Sequence, residues 1–309
     1  MWSSAYGRSS GLAIDPIEKK PLNHVSPGSL VLSFGTTGCD LACKFCQNWE
    51  ISQPRFSETS HPRFSATATT HRQNTLTIDA PPEAIVRVAQ AQGCAGVAYT
   101  YNDPVVFPEY AIDTAQLARD AGLLNVAVTA GFINPAPRVD LFTAMDAANV
   151  DLKSLNPVFY RQVVGGRLDV VQDTLRYLAS QTSVWVEVTT LVIPGMNDSD
   201  SELAAIASWI AANMGEHVPW HVSAFHPANR LLDVSPTPAS TLRRARQIGL
   251  REGLRFVYTG NIADAEGSTT WCPGCGQALL RRRGYTVTRR HITPDGHCDS
   301  CGETIPGRW

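Results

Sequence analysis

Cys39, Cys43 and Cys46 stand in the stretch C-D-L-A-C-K-F-C, a C-x3-C-x2-C array with Phe45 directly before the last cysteine. Three thiolates can hold three irons of a [4Fe–4S] cluster and leave the fourth iron without a protein ligand. Such clusters are normally held by four cysteines, and an open metal position signals chemistry rather than structure. A zinc knuckle or an electron-transfer cluster competes with this reading. Zinc usually takes four ligands, and His24 or His61 would be available as the fourth.

Four more cysteines form a second group. Cys272-Pro273-Gly274-Cys275 and Cys298-Asp299-Ser300-Cys301 are two C-x2-C knuckles separated by 22 residues, the spacing of a zinc ribbon. Metal there would replace a core in a segment too small to fold alone. A hairpin is expected between the knuckles, with strands at 277–282 and 285–288 turning at Gly284. His291 and His297 are not needed as ligands and are expected to be exposed. Arg281-Arg282-Arg283 and Arg289-Arg290 make this segment basic. That is read either as a solvated hairpin face or as a contact for RNA or an acidic protein. Cys94 is left over and reads as a small buried residue entering a strand. This grouping argues against a disulfide framework and for a reducing compartment.

These residues need a scaffold. With 309 residues, 43% of them hydrophobic, and a net charge of −2, the chain is long enough for one large α/β domain with a small appendage. The charge balance gives no sign of bulk affinity for nucleic acid or membranes. There is no run of 18 apolar residues and no apolar signal core at the start, so a cytoplasmic location is expected, with no membrane association. Strand patterns fall at 29–35, 95–100, 125–129, 147–152, 184–190, 219–225 and 255–259. Helical patterns fall between most of them, at 82–92, 107–121, 170–180, 201–214 and 239–252. Strands spaced by such helices imply βαβ units and a parallel sheet, here a partial or full TIM-like (β/α) barrel. The expected organisation is an N-terminal extension over 1–28, a barrel over 29–262 and the ribbon over 270–309.

In such barrels chemistry sits at the carboxyl ends of the strands. The cysteine array follows the first strand and Tyr101-Asn102-Asp103-Pro104 the second. Thr129-Ala130-Gly131, Asp151 with Lys153, Thr189-Thr190, His226-Pro227 and Gly260-Asn261 close later ones. Residues 53–76 interrupt the pattern, with a short repeat in Pro54-Arg55-Phe56-Ser57 and Pro62-Arg63-Phe64-Ser65. They read as a mobile surface loop or as a substrate lid.

The array C-x3-C-x-Φ-C after a first strand resembles the radical S-adenosylmethionine (SAM) superfamily. Longer stretches are similar to the radical enzyme of the AmmeMemoRadiSam system, related to pyruvate formate-lyase activating enzymes. They include Asp15-Pro16-Ile17-Glu18-Lys19-Lys20-Pro21-Leu22, Phe45-Cys46-Gln47-Asn48-Trp49, Tyr99-Thr100-Tyr101-Asn102-Asp103-Pro104 and Trp185 through Gly195. The resemblance implies a [4Fe–4S] cluster on Cys39, Cys43 and Cys46, with Phe45 beside the adenine of SAM. It also implies Zn2+ on Cys272, Cys275, Cys298 and Cys301. Reductive cleavage of SAM would give a 5′-deoxyadenosyl radical that takes hydrogen from the substrate, the cofactors carrying the reaction. By position, Asn102 and Asp103 would receive the methionyl amino group; an Asx turn before Pro104 is the alternative. Lys153 would pair with the methionyl carboxylate and Asp151 would orient it, or the two would form a plain ion pair. His226 would lie near SAM or be structural, and His221 would only fill the barrel interior through a hydrogen bond. Three departures from the family pattern stand out: Asp103 replaces the usual Glu, Ala130 replaces Asn, and the sequence begins after the place of a cysteine-rich segment that many relatives carry, so that either the start is truncated or misassigned or this member lacks that element. The implied partners are a reductant such as flavodoxin or ferredoxin, AMMECR-like and Memo-like proteins, and a protein or small-molecule substrate. Two other functions stay open: a glycyl-radical activase, and a non-catalytic iron–sulfur or zinc protein whose ribbon binds RNA.

Overall fold

The computed structural model describes residues 5–54 and 77–309. In chain order the strands are β1 (Arg8–Ser9), β2 (Leu12–Pro16), β3 (Leu30–Phe34), β4 (Ile78–Asp79), β5 (Gly96–Tyr99), β6 (Leu124–Thr129), β7 (Ala147–Asp151), β8 (Trp185–Val192), β9 (Trp220–Ala224) and β10 (Val257–Gly260). Among the described residues the main sheet has eight strands in the order β10-β9-β8-β7-β6-β5-β3-β2. Its neighbours pair in parallel from β3 to β10, and β2 joins β3 antiparallel. The outer strands β10 and β2 do not pair with each other, so the barrel is partial.

All seven expected strands and five expected helices form, with no end shifted by more than two residues. The helix Pro135–Thr143 was not anticipated, because two prolines in its first turn hide a pattern that proline in fact starts well. Nor was β2, which lies in the stretch read as an N-terminal extension and supplies the edge strand. Residues 55–76, where the surface-loop or lid reading falls, lie outside the described residues, as does His61.

Alternation along each strand sorts the side chains. Leu32, Phe34, Val97, Tyr99, Val150, Val188 and Val222 pack on the helices in the main core. The register places Ser33, Asn149, Glu187 and His221 on the other face, toward the barrel interior. Ile17, Leu22 and Val25 close that interior at one end against Val31, Ala98, Val126 and Ala147. Glu187 is fully buried there and accepts from the Asn23 and His24 N–H groups, from Trp185 and from His221. His221 thus fills the interior through a hydrogen bond, as expected.

The C-terminal cysteines lie in a small three-stranded antiparallel sheet of β11 (Thr270–Trp271), β12 (Ala278–Arg283) and β13 (Thr286–Arg290). Leu279, Leu280 and Ile305 pack on Phe256 and Tyr258 of the barrel. The reading of a solvated arginine face needs correction. Arg282 is 5% exposed and donates to the carbonyls of Asn23 and Ser268 and to Thr270 Oγ1. Arg290 donates to the Pro27 carbonyl. The strand pleat turns Arg282 inward, and its charge fastens the ribbon to the barrel's N-terminal segment. Among the described residues no helix is long and apolar enough to cross a membrane.

Candidate functional site

The cysteine loop leaves β3 at Gly35. A Cβ on Gly35 would lie 2.2 Å from the Thr100 carbonyl, so only glycine lets this turn pass the end of β5. Asn102 then clamps the loop. Its Nδ2 donates to Thr36 Oγ1 and to the Gly38 carbonyl, each at 2.8 Å, and its Oδ1 accepts from Thr36 N at 3.1 Å. From other directions, the N–H groups of Ala42 and Lys44 donate to the carbonyls of Val164 and Val163, and Arg230 N donates to the Lys44 carbonyl. The side chains of Gln53 and Asn229 both donate to the Cys43 carbonyl. Residues from four parts of the chain therefore hold the three cysteines in place.

All three cysteines are half-buried and line one cavity of about 410 Å³, a usual size for a cofactor or small-molecule site. Phe45 lines it too and stacks on Phe159. Burial pushes the Cys43 thiol up to about 11 and Cys39 higher still. Thiols so placed ionise only beside a cationic centre. The set therefore suits ligation of a metal cluster better than service as free nucleophiles.

The same cavity is lined by Asn102, Asp103, Asp151 and Lys153. Asp103 is buried and accepts from Thr129 Oγ1 at 2.7 Å, from Ala130 N at 2.8 Å and from Val105 N at 3.2 Å. It thus makes the turn before Pro104 that the sequence offered as an alternative. Burial, with the Asp40 carboxylate nearby, pushes its pKa up to about 7 against the pull of those donors. Lys153 Nζ sits 2.7 Å from Asp151 Oδ2 and 5.7 Å from the Phe45 ring centre. Burial disfavours the Lys153 charge, but Asp151 and Cys43 outweigh it and hold the ammonium protonated. The structure does not bring His226 to this cavity. It is exposed, because the inward positions of β9 are His221 and Ser223 and residue 226 has the opposite parity.

Several lining residues were not singled out from the sequence. Lys19, Lys20 and Tyr101 form one part of the wall, and Tyr285, on the turn between β12 and β13, brings the ribbon to the same cavity. In the stretch Asp15 through Leu22 the two adjacent lysines are a legible signal of this wall.

The other four cysteines converge independently. Cys272 Sγ lies 3.6 Å from Cys301 Sγ and Cys275 Sγ 3.8 Å from Cys298 Sγ, with all four sulfurs within 4.8 Å of one another. A tetrahedral ion with metal–sulfur bonds of about 2.3 Å holds its sulfurs about 3.8 Å apart, so the set fits one. His291 and His297 stay out of it. Both are half-buried and face acids, Asp299 at 2.7 Å and Asp295 at 3.2 Å.

Comparison with known proteins agrees with this geometry. The model of the Radical SAM superfamily matches residues 34–207. The chain is 40% identical over 308 residues to Uncharacterized protein MJ0808 of Methanocaldococcus jannaschii, covering 99% of this chain and 86% of that protein. It is 25% identical over 117 residues to the indoleacetate decarboxylase activating enzyme of Tractidigestivibacter scatoligenes, covering 38% of this chain and 37% of that one. A radical SAM methyltransferase of Sphaerobacter thermophilus shares the fold, with a TM-score of 0.54 and 16% identity over 81% of this chain and 70% of that chain.

Proposed function

The chain belongs to the radical SAM superfamily, and from that premise we propose that it is an enzyme abstracting hydrogen from a protein or small-molecule substrate within an AmmeMemoRadiSam-type system. The observation that carries the reading is the meeting of Cys39, Cys43 and Cys46 with Asp103, Asp151 and Lys153 on one cavity at the carboxyl ends of the strands. When bound, a [4Fe–4S] cluster and SAM supply one-electron cleavage of the sulfonium and the radical that takes the hydrogen. The chain's own residues do the rest. Cys39, Cys43 and Cys46 hold the cluster, and Asn102 keeps their loop in register. Lys153, kept charged by Asp151, receives the methionyl carboxylate, and Asp103 faces the amino group with the lone-pair capacity its three hydrogen bonds leave. Phe45 gives the adenine an apolar surface. In this reading 29–262 forms the barrel, 1–28 an N-terminal extension, and 270–309 a zinc ribbon. A flavodoxin or ferredoxin would supply the electron, and AMMECR-like and Memo-like proteins would be partners.

A second reading, activation of a glycyl-radical enzyme, is favoured by the 117-residue likeness to an activating enzyme. The test of the first is anaerobic reconstitution followed by reduction with dithionite and SAM. Formation of 5′-deoxyadenosine is expected, and a fully loaded cluster that leaves SAM intact overturns both enzyme readings. A glycyl signal in electron paramagnetic resonance on a co-encoded partner would select the activase.

A further inference from the structure

Lys19 and Lys20 share a single carboxylate. Asp15 accepts from Lys19 Nζ at 2.7 Å, from Lys20 Nζ at 2.7 Å and from the Tyr101 hydroxyl at 2.9 Å. Elsewhere on the cavity wall Lys153 has Asp151 to itself. The Lys19–Lys20–Asp15 group therefore carries one positive charge more than it neutralises. The Lys20 side chain is only 4% exposed, yet the residue lines the cavity. Among the described residues its ammonium donates one hydrogen bond, to Asp15, of the three an ammonium can donate. The Tyr101 ring lies 4.7 Å from Lys20 Nζ.

Tyr101 is held at a cost. Its φ is +73°, a conformation a non-glycine residue adopts only when its surroundings impose it. Asn48, two residues beyond Cys46, donates to the Tyr101 carbonyl at 2.8 Å, and the hydroxyl is tied to Asp15. Such strain gathers at binding sites, and here it ties the lysine pair to the cysteine loop. The Thr189 hydroxyl on β8, buried on the cavity wall, has no partner among the described residues.

We infer that Lys20, backed by Lys19 and shaped by Asp15 and Tyr101, is a subsite for a carboxylate of the substrate, distinct from the place of the methionyl carboxylate at Lys153. The inference rests on the proposed function and narrows its substrate to a carboxylate-bearing molecule or acidic peptide. One surplus charge suits a monoanion; a phosphate dianion would leave a charge uncompensated in a half-closed site.

The test uses the anaerobically reconstituted full chain with SAM saturating and acetate as the probe, read by saturation-transfer NMR on the acetate methyl group. Acetate is expected to bind, with affinity falling at least tenfold in Lys20→Met and about threefold in Lys19→Met. The Lys19 side chain is 47% exposed, so the second variant folds even if the first does not. Equal acetate binding in wild type and Lys19→Met overturns the subsite, as does acetate binding seen only when SAM is left out, which would assign the anion site to the cofactor. Displacement of acetate by tenfold less inorganic phosphate overturns the choice of carboxylate. Each outcome is read from binding alone, so failure of SAM cleavage, which would sink the proposed function, is a separate result.

Discussion

Asn102 separates two accounts of the site. Its position after the second parallel strand suggests a contact with the methionyl amino group, whereas the structure gives all three of its hydrogen bonds to Thr36 and Gly38 of the cysteine loop. Each such bond contributes about 1 kcal/mol net, so Asn102→Ala removes up to about 3 kcal/mol from the closed loop. At about 1.4 kcal/mol per tenfold, the loop then opens roughly a hundredfold more often. Asn102→Asp keeps the acceptor for Thr36 N but cannot donate to the Gly38 carbonyl, two acceptors that then repel. That costs about 1–2 kcal/mol and makes opening about tenfold more frequent. The assay is the rate at which an iron chelator strips the anaerobically reconstituted protein, followed by loss of the visible cluster absorption. The expected order of loss is Asn102→Ala fastest, then Asn102→Asp, then wild type. If both variants release iron within twofold of wild type while their SAM Kd rises tenfold, Asn102 touches the cofactor and the clamp is refuted.

Cys43→Ala is expected to lose the iron and its absorption while keeping metal at the C-terminal site, and Cys275→Ala to do the reverse; metal analysis of both variants checks the division, and iron loss from Cys275→Ala would break it. His24 is fully buried, with Nδ1 at 2.7 Å from the Pro306 carbonyl and Nε2 at 2.7 Å from the Tyr258 hydroxyl, and burial lowers its pKa to about 4. Because the folded chain resists protonating it, stability is unaffected above pH 6.5 and falls as pH drops from 6.5 to 4, by about 3 kcal/mol. Urea midpoints across that window should show His24→Gln losing this much of the pH dependence, and an unchanged slope would contradict the burial argument. Arg282→Met leaves Glu18 and the Asn23 and Ser268 carbonyls without their buried cation and is expected to cost about 3–5 kcal/mol. A loss below 1 kcal/mol in urea unfolding would mean the arginine does not anchor the ribbon.

How much was legible beforehand varied with the physics involved. Strands such as Leu124–Thr129 and helices opened by Pro82 and Pro108 announce themselves through local pattern. β2 did not, because a five-residue edge strand with an exposed outer face carries little periodicity. His226 illustrates a different failure. Its place at a strand end was readable, but which face it takes depends on where the strand's pleat stops, and the register of β9 against β8 sets that. Arg282 was read with its neighbours as one charged run. The pleat of β12 separates it from them, and only the packing of the ribbon on the barrel made the buried side an arginine's side.

By itself the sequence determined the donor chemistry and its grouping. Cysteine spacing is local, and a triplet and two knuckles so far apart along the chain can be separated without knowing the fold. Family membership follows from the same short-range pattern. What the tertiary structure decided was neighbourhood. Asn102 turned out to grip the cysteine loop, Lys20 to share Asp15 with Lys19 and Tyr101, and Tyr285 of the ribbon to reach the barrel's cavity. Apart from the local pairing of Asp15 with Lys19 and Lys20, these contacts join residues far apart in the chain that the folding of the sheet or the docking of the ribbon brings together. Their energies depend on burial and on the direction of single N–H groups, quantities that have no value until the chain has folded.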